Sequence, residues 1–225
     1  MRRGVLLPIF RSQLDDALDL AAQCASLGID GVFAYDHLYP PKDASRPAFA
    51  PLPLLARVAH LHPALMVGTL VARVGMVGAD EMVEQFRTLA AVAPGRAIAG
   101  LGIGDEIASA ELTSWGLPIH TAAERREMLA RVLEGLRGVC ECWVGGGAPS
   151  RDVAREHGAE VNLWEGGAAA LDLEAQRGPT NVAGPAPDDL HGHLDAMFRA
   201  GATWTIYTPN VDIAALASWE PPKTL

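Results

Sequence analysis

The sequence predicts a (β/α)8 barrel, with residues 1–225 forming one domain. Eight short β-rich apolar runs alternate with segments of helical spacing, an order that builds parallel sheets. Three expected helix ends share one device: Leu27-Gly28-Ile29-Asp30, His157-Gly158-Ala159-Glu160 and Ala200-Gly201-Ala202-Thr203 each put a glycine just past the helix and before a strand. Polar and glycine-rich residues follow the strands, at the face where a barrel carries its chemistry: Asp36-His37, Gly100 to Glu106, Gly145-Gly146-Gly147 and Pro209-Asn210. A doubly wound open sheet is the competing arrangement.

Each element has its own reason. Gly4 to Phe10 is an apolar strand, and Ser12 is the expected N-cap of a helix carrying Leu14, Ala17, Leu18, Ala21 and Ala22 as far as Gly28. Gly31 to Tyr35 is the second strand, and a proline-rich loop leads to a helix at about Leu52 to Leu61. Ala64 to Val71 is the third. Ala79 to Ala93 is amphipathic, with Met82, Val83, Phe86, Leu89 and Ala90 on one face, and delivers the chain to the fourth strand, Arg96 to Gly102. A helix at about Thr121 to Arg137 precedes strands at Cys142 to Gly145, Val161 to Trp164, Asn181 to Ala183 and Thr203 to Thr208. Helices at about Pro149 to His157 and Asp188 to Ala200 lie between some of them.

Composition narrows the function. The 225 residues are 49% hydrophobic, 20% charged and carry a net charge of −9, which repels nucleic acid and anionic membrane and favours small-molecule partners. No run approaches a membrane span, and the apolar run after Met1-Arg2-Arg3 is too short for a signal peptide, so a reducing cytoplasm is expected for the odd set Cys24, Cys140 and Cys142. Cys140-x-Cys142 lacks the spacing of zinc or redox motifs, and His60-x-His62 and His191-x-His193 do not share a helical face, so no metal site is expected.

The chemistry is expected around Gly95 to Glu106. Glycines at 100, 102 and 104 clear the carboxyl end of a buried strand for something flat or bulky, and Asp105 and Glu106 follow. His37 beside Asp36 offers an imidazole for proton delivery. Gly145 to Gly147 open a helix N-terminus suited to phosphate, with Ser150 and Arg151 as further donors. Gly100-x-Gly102-x-x-Asp105 lacks the third glycine of a dinucleotide fingerprint.

Four segments together resemble the luciferase-like monooxygenase family, in its branch using the deazaflavin coenzyme F420: Leu27 to His37, Val67 to Val71, Gly95 to Asp105, and Trp143 to Pro149. The resemblance implies a (β/α)8 barrel holding a deazaflavin or FMN at the carboxyl ends of its strands. It implies that Asp36 and His37 line the reacting end of the ring and that Asp105 stands where some members carry a catalytic carboxylate. Further, Thr69, Leu70 and Val71 match a segment with a non-proline cis peptide under the ring, Gly102 and Gly104 border the ring, and Gly145, Gly146, Gly147, Ser150 and Arg151 match the phosphate-binding segment. The implied activity is F420-dependent hydride transfer to or from a small organic substrate. An FMN-dependent monooxygenase and a non-catalytic cofactor-binding protein are the alternatives. A homodimer through the helices after the second and third strands is also implied, with Leu52, Leu54, Leu55, Val58, Leu61, Met82, Val83 and Phe86 as apolar surface. The sequence departs from fuller members in its short passages between Leu136 and Cys142 and around Asn181, so a shallower pocket is expected.

Overall fold

The computed structural model describes residues 1–10, 14–40, 43–104 and 106–222. The expected N-cap Ser12 and the carboxylate candidate Asp105 lie outside the described residues.

The elements run β1 (Arg2–Leu6), α1 (Leu14–Ser26), β2 (Gly31–Ala34), α2 (Pro51–Leu61), β3 (Met66–Thr69), β4 (Ala72–Arg73) and α3 (Ala79–Val92). They continue with β5 (Ala97–Gly102), α4 (Glu106–Ser114), α5 (Ala122–Gly135), β6 (Glu141–Gly145), α6 (Ala148–Glu156) and β7 (Glu160–Trp164). Then come α7 (Ala168–Ala175), β8 (Thr180–Gly184), α8 (Leu190–Arg199), β9 (Trp204–Tyr207) and α9 (Ile213–Ser218). All pairings are parallel, and β1 pairs with both β2 and β9 while β3 pairs with β5. The sheet is therefore closed, which excludes the doubly wound alternative. β3 and β4 are two halves of one barrel strand interrupted at Leu70 and Val71, so the barrel has eight staves.

The expected glycine device is present at the ends of α1, α6 and α8, where Gly28, Gly158 and Gly201 adopt φ of 74°, 68° and 86°. A residue with a Cβ resists this left-handed turn, and the glycines let the chain drop from helix to strand in three or four residues. α5 starts on a reciprocal cap: Thr121 Oγ1 accepts from Glu124 N, and Glu124 Oε2 accepts from Thr121 N at 2.7 Å. α4, α7 and α9 were not expected from the sequence, because none carries a clear apolar stripe.

Two apolar clusters form the core. The larger lies between the strands and their outer helices; the smaller fills the barrel with Leu6, Phe33, Leu70, Ile98, Trp143, Ala183, Trp204 and Ile206. Phe33, Trp143 and Trp204 meet pairwise at ring-centroid distances of 5.1–5.5 Å. Three aromatics fit because Gly4, Gly31 and Gly68 face them; a Cβ on Gly4 would stand 2.6 Å from Phe33 Cε2. The barrel is thus plugged below its carboxyl-terminal mouth.

Candidate active site

At that mouth a cleft of about 560 Å³ is lined by Tyr35, Asp36 and His37 after β2, Leu70, Val71 and Arg73 around β4, Gly102 to Gly104 after β5, Gly145 to Gly147 after β6, and Asn162 and Trp164 on β7. That volume suits a tricyclic ring or a substrate of similar size. The cleft brings together Asp36, His37, Leu70, Val71, Gly102, Gly104, Gly145, Gly146 and Gly147 from the sequence reading.

The peptide between Leu70 and Val71 is cis. Leu70 packs into the barrel cluster with Phe33, Ile98 and Trp143 while still bordering the cleft. Thr69 does not reach the cleft: it is fully buried, and its Oγ1 donates to Gly100 O at 2.7 Å. The glycines of β5 serve this segment first. A Cβ on Gly100 would lie 2.0 Å from Thr69 O, and one on Gly102 would lie 2.5 Å from Val71 Cγ2. They make room first for the neighbouring backbone and its ridge, and Gly102 also borders the cleft.

The carboxylate that holds His37 is Glu111 on α4, not the adjacent Asp36. His37 Nδ1 lies 2.6 Å from Glu111 Oε1, and Glu111 Oε2 accepts from Leu38 N at 2.9 Å and pairs with Arg73 Nη2 at 3.0 Å. Glu111 and Arg73 are 1% and 5% exposed. An arginine keeps its charge when buried, so it requires a buried anion, and Glu111 is that anion. A carboxylate accepts only, so Nδ1 carries a proton, and in the neutral imidazole Nε2 is the acceptor. Asp36 meets the backbone instead: its Oδ2 accepts from Arg73 N at 2.8 Å. Burial pushes the Asp36 carboxyl up to about 6, with the Glu111 charge acting the same way, against the lowering by that hydrogen bond and by the Arg73 charge. Glu111 was missed because α4 was not foreseen; an acid set between Ala110 and Leu112 in a stretch of small and apolar residues was the available signal.

Gly147 caps α6 without a side-chain bond; Pro149 has no N–H and Ser150 N donates to Gly147 O at 3.0 Å, so the Ala148 N–H is the group of the first turn that stays available. Behind Gly146 the Ser150 hydroxyl is buried without a partner, 3.2 Å from where a Cβ on Gly146 would sit. A helix N-terminus, an orphan hydroxyl and an open glycine cradle together suit a phosphate oxygen. Arg151 is turned elsewhere, its Nε 3.5 Å from Glu174 Oε1 in a cluster with Arg155. Tyr35 and Trp164, edge to face at 6.1 Å, also line the cleft.

A parallel eight-stave barrel with a titratable pair, a glycine cradle and a broken third strand at its carboxyl-terminal mouth has the layout of a barrel that carries its site at that face. The model of the luciferase-like monooxygenase family matches residues 1–202, and the chain belongs to that family. The F420-dependent glucose-6-phosphate dehydrogenase of Kineococcus radiotolerans is 31% identical over 170 residues, covering 75% of this chain and 46% of that protein. The enzyme of the same description from Nakamurella multipartita is 31% identical over 129 residues, covering 56% of this chain and 36% of that protein. The chain thus spans less than half the length of these relatives. Among solved structures, an F420-dependent secondary alcohol dehydrogenase in complex with an F420–acetone adduct superposes with a TM-score of 0.80 at 12% identity, covering 97% of this chain and 98% of that one. The FMN-bound oxygenating constituent of 3,6-diketocamphane monooxygenase from Pseudomonas putida gives 0.61 at 16% identity, covering 92% and 66%. At these identities the two structures speak for the fold.

Proposed function

We propose that the protein is a deazaflavin-dependent oxidoreductase that transfers a hydride to or from a small organic substrate. The observation that carries this reading is the Arg73–Glu111–His37 chain, which leaves His37 Nε2 as a proton acceptor beside the Leu70–Val71 ridge. In this reading Val71, Gly102 and Gly104 border the ring, and Gly145 to Gly147 with Ser150 hold a phosphate of its side chain. When bound, the deazaflavin supplies a hydride acceptor or donor. His37 takes the proton that leaves a substrate hydroxyl as the carbon is oxidised, and returns it in the reverse direction; Glu111 stabilises the imidazolium formed. Asp36, whose carboxyl burial raises to about 6, is the second candidate for proton exchange, and Asp105 is kept as a candidate carboxylate.

The partners are read as a small-molecule substrate and a second copy of the chain. Of the eight apolar residues expected at a dimer interface, Leu54, Leu55, Val58, Met82, Val83 and Phe86 are already buried within one chain. Support for a homodimer comes instead from an apolar hollow of about 510 Å³ between α2 and α3, lined by Leu52, Ala56, Met76, Val77 and Leu89. The unpaired thiols of Cys24, Cys140 and Cys142 accord with a reducing cytoplasm.

The test is turnover with reduced and oxidised F420 against quinones, unsaturated lactones, alcohols and sugar phosphates. Change in the deazaflavin absorbance with one of these classes supports the reading. Binding without turnover points to a non-catalytic carrier, and preferential retention of FMN with oxygen consumption points to a monooxygenase.

A further inference from the structure

A row of buried polar side chains runs from the amino-terminal end of the barrel up to the cleft. Residues two apart on a strand share a face, so Glu160 and Asn162 on β7 both turn inward, and register sets Asn162 beside Asn181 of β8 and Gly145 of β6. Asn162 Nδ2 donates to Asn181 Oδ1 at 2.6 Å, and Asn181 Nδ2 donates to Glu160 Oε1 at 2.7 Å. Thr203 Oγ1 donates to the same Glu160 oxygen. Asn162, Asn181 and Glu160 are 4%, 0% and 8% exposed.

The two ends of an amide have the same shape and opposite hydrogen-bonding character, so the chain must have a direction. Glu160 Oε1 accepts from two donors and stays an acceptor even with a proton on Oε2. Asn181 must therefore turn its NH2 to Glu160 and its oxygen to Asn162. Asn162 must then turn its NH2 to Asn181, which leaves Oδ1 facing away from the chain. That oxygen takes no donor from the described residues, and it is not sealed off from the cleft that Asn162 lines. Gly145 keeps it open: a Cβ there would stand 3.5 Å from Asn162 Oδ1 and 3.2 Å from Val71 Cγ1. A bare acceptor thus lies on the cleft floor beside the Val71 ridge.

We propose that Asn162 reads the bound ring, its amide oxygen accepting a hydrogen bond from the imide N–H of the pyrimidine edge, with Asn181 and Glu160 as positioning residues. This rests on the deazaflavin reading of the cleft. The pyrimidine edge of an oxidised deazaflavin or flavin runs carbonyl, N–H, carbonyl, and the imide is the only N–H donor on the ring. An acceptor pinned by a buried carboxylate at the far end cannot turn over to serve a carbonyl without leaving Asn181 and Glu160 unpaired, so the site selects one edge and one orientation.

The experiment is fluorescence titration of the wild type and Asn162→Leu with oxidised F420 and with its N3-methyl derivative. The wild type is expected to bind the methylated ring about tenfold or more weakly, and Asn162→Leu to bind both within about twofold of each other. In the wild-type complex the imide proton is expected to move downfield in proton NMR and to exchange more slowly, a readout that needs no variant. Equal affinity of the wild type for both rings, or an unshifted imide proton, overturns the inference and leaves the proposed function standing. Discrimination that survives in Asn162→Leu overturns the assignment to this residue. If O-methylation of the deazaflavin phenol is the change that Asn162→Leu relieves, the donor is the hydroxyl at the other end of the ring and the imide assignment falls. No binding of F420 by the wild type overturns the proposed function and this inference with it.

Discussion

Glu111→Gln isolates the charge that holds the proton-transfer pair together. The substitution keeps shape but removes the anion from a site 1% exposed, leaving Arg73, 5% exposed, with a buried charge and no salt-bridged partner among the described residues. Arg73 Nε and Nη1 lack hydrogen bonds, and among the described residues no carboxylate besides Glu111 lies within ion-pair distance of the guanidinium. Breaking a buried pair from one side costs about 3–5 kcal/mol. Arg73→Met strands Glu111 with only His37 and the Leu38 N–H, and is expected to cost about 2–4 kcal/mol by the same argument. The double variant has neither charge, so it is expected to fall short of the sum of the singles by about 2–3 kcal/mol. Urea unfolding followed by tryptophan fluorescence measures all four corners of the cycle. Costs that add within about 0.5 kcal/mol would show that Arg73 and Glu111 do not depend on each other, and would refute the argument. The glutamine NH2 would also donate to His37 Nδ1 and drive the ring proton to Nε2, so nitrogen NMR of His37 is expected to show the opposite tautomer.

Three further outcomes follow from the same geometry. The Asp36 carboxyl is raised from 3.8 to about 6 by burial, so the fold favours its protonated form, and that contribution is full below about pH 4 and lost as pH rises through 6; Asp36→Asn is expected to match the wild type at pH 4 and to exceed it by about 1–3 kcal/mol at pH 7.5 in chemical unfolding. Gly100→Ala sets a methyl 2.0 Å from Thr69 O, which as backbone cannot swing aside, and is expected to cost about 3 kcal/mol or more. Ser150→Ala removes a hydroxyl without a partner, so stability is expected to stay within about 0.5 kcal/mol while F420 affinity falls about fivefold, with no loss for the deazaflavin chromophore lacking its phosphate arm.

The barrel was legible because its signals are local. Gly28, Gly158 and Gly201 announced three helix-to-strand turns, and the amphipathic stripe of Met82, Val83, Phe86 and Leu89 announced α3. The third stave was read as one strand, Ala64 to Val71, because its composition is uniformly apolar; the interruption at Leu70 and Val71 came only from the family resemblance. α7, rich in alanine, has no stripe to read, and α9 has only six residues. At the site, His37 and the glycine loops were visible as residue types out of place in a strand sequence. Glu111 lies 74 residues from His37, and Asn162 meets Asn181 through sheet register, so both partnerships are products of closure. Neither leaves a spacing signature in the chain.

The central claim is that the cleft at the carboxyl-terminal mouth holds a deazaflavin against the ridge between β3 and β4. Its most direct test is a competitive fluorescence titration of the protein with oxidised F420 and with FMN, alongside Gly102→Val, which fills the cleft between Val71 and Gly145. The account predicts tighter binding of F420 than of FMN, and loss of F420 binding in a variant that still folds. Tighter FMN binding, or F420 affinity undiminished in folded Gly102→Val, would contradict it.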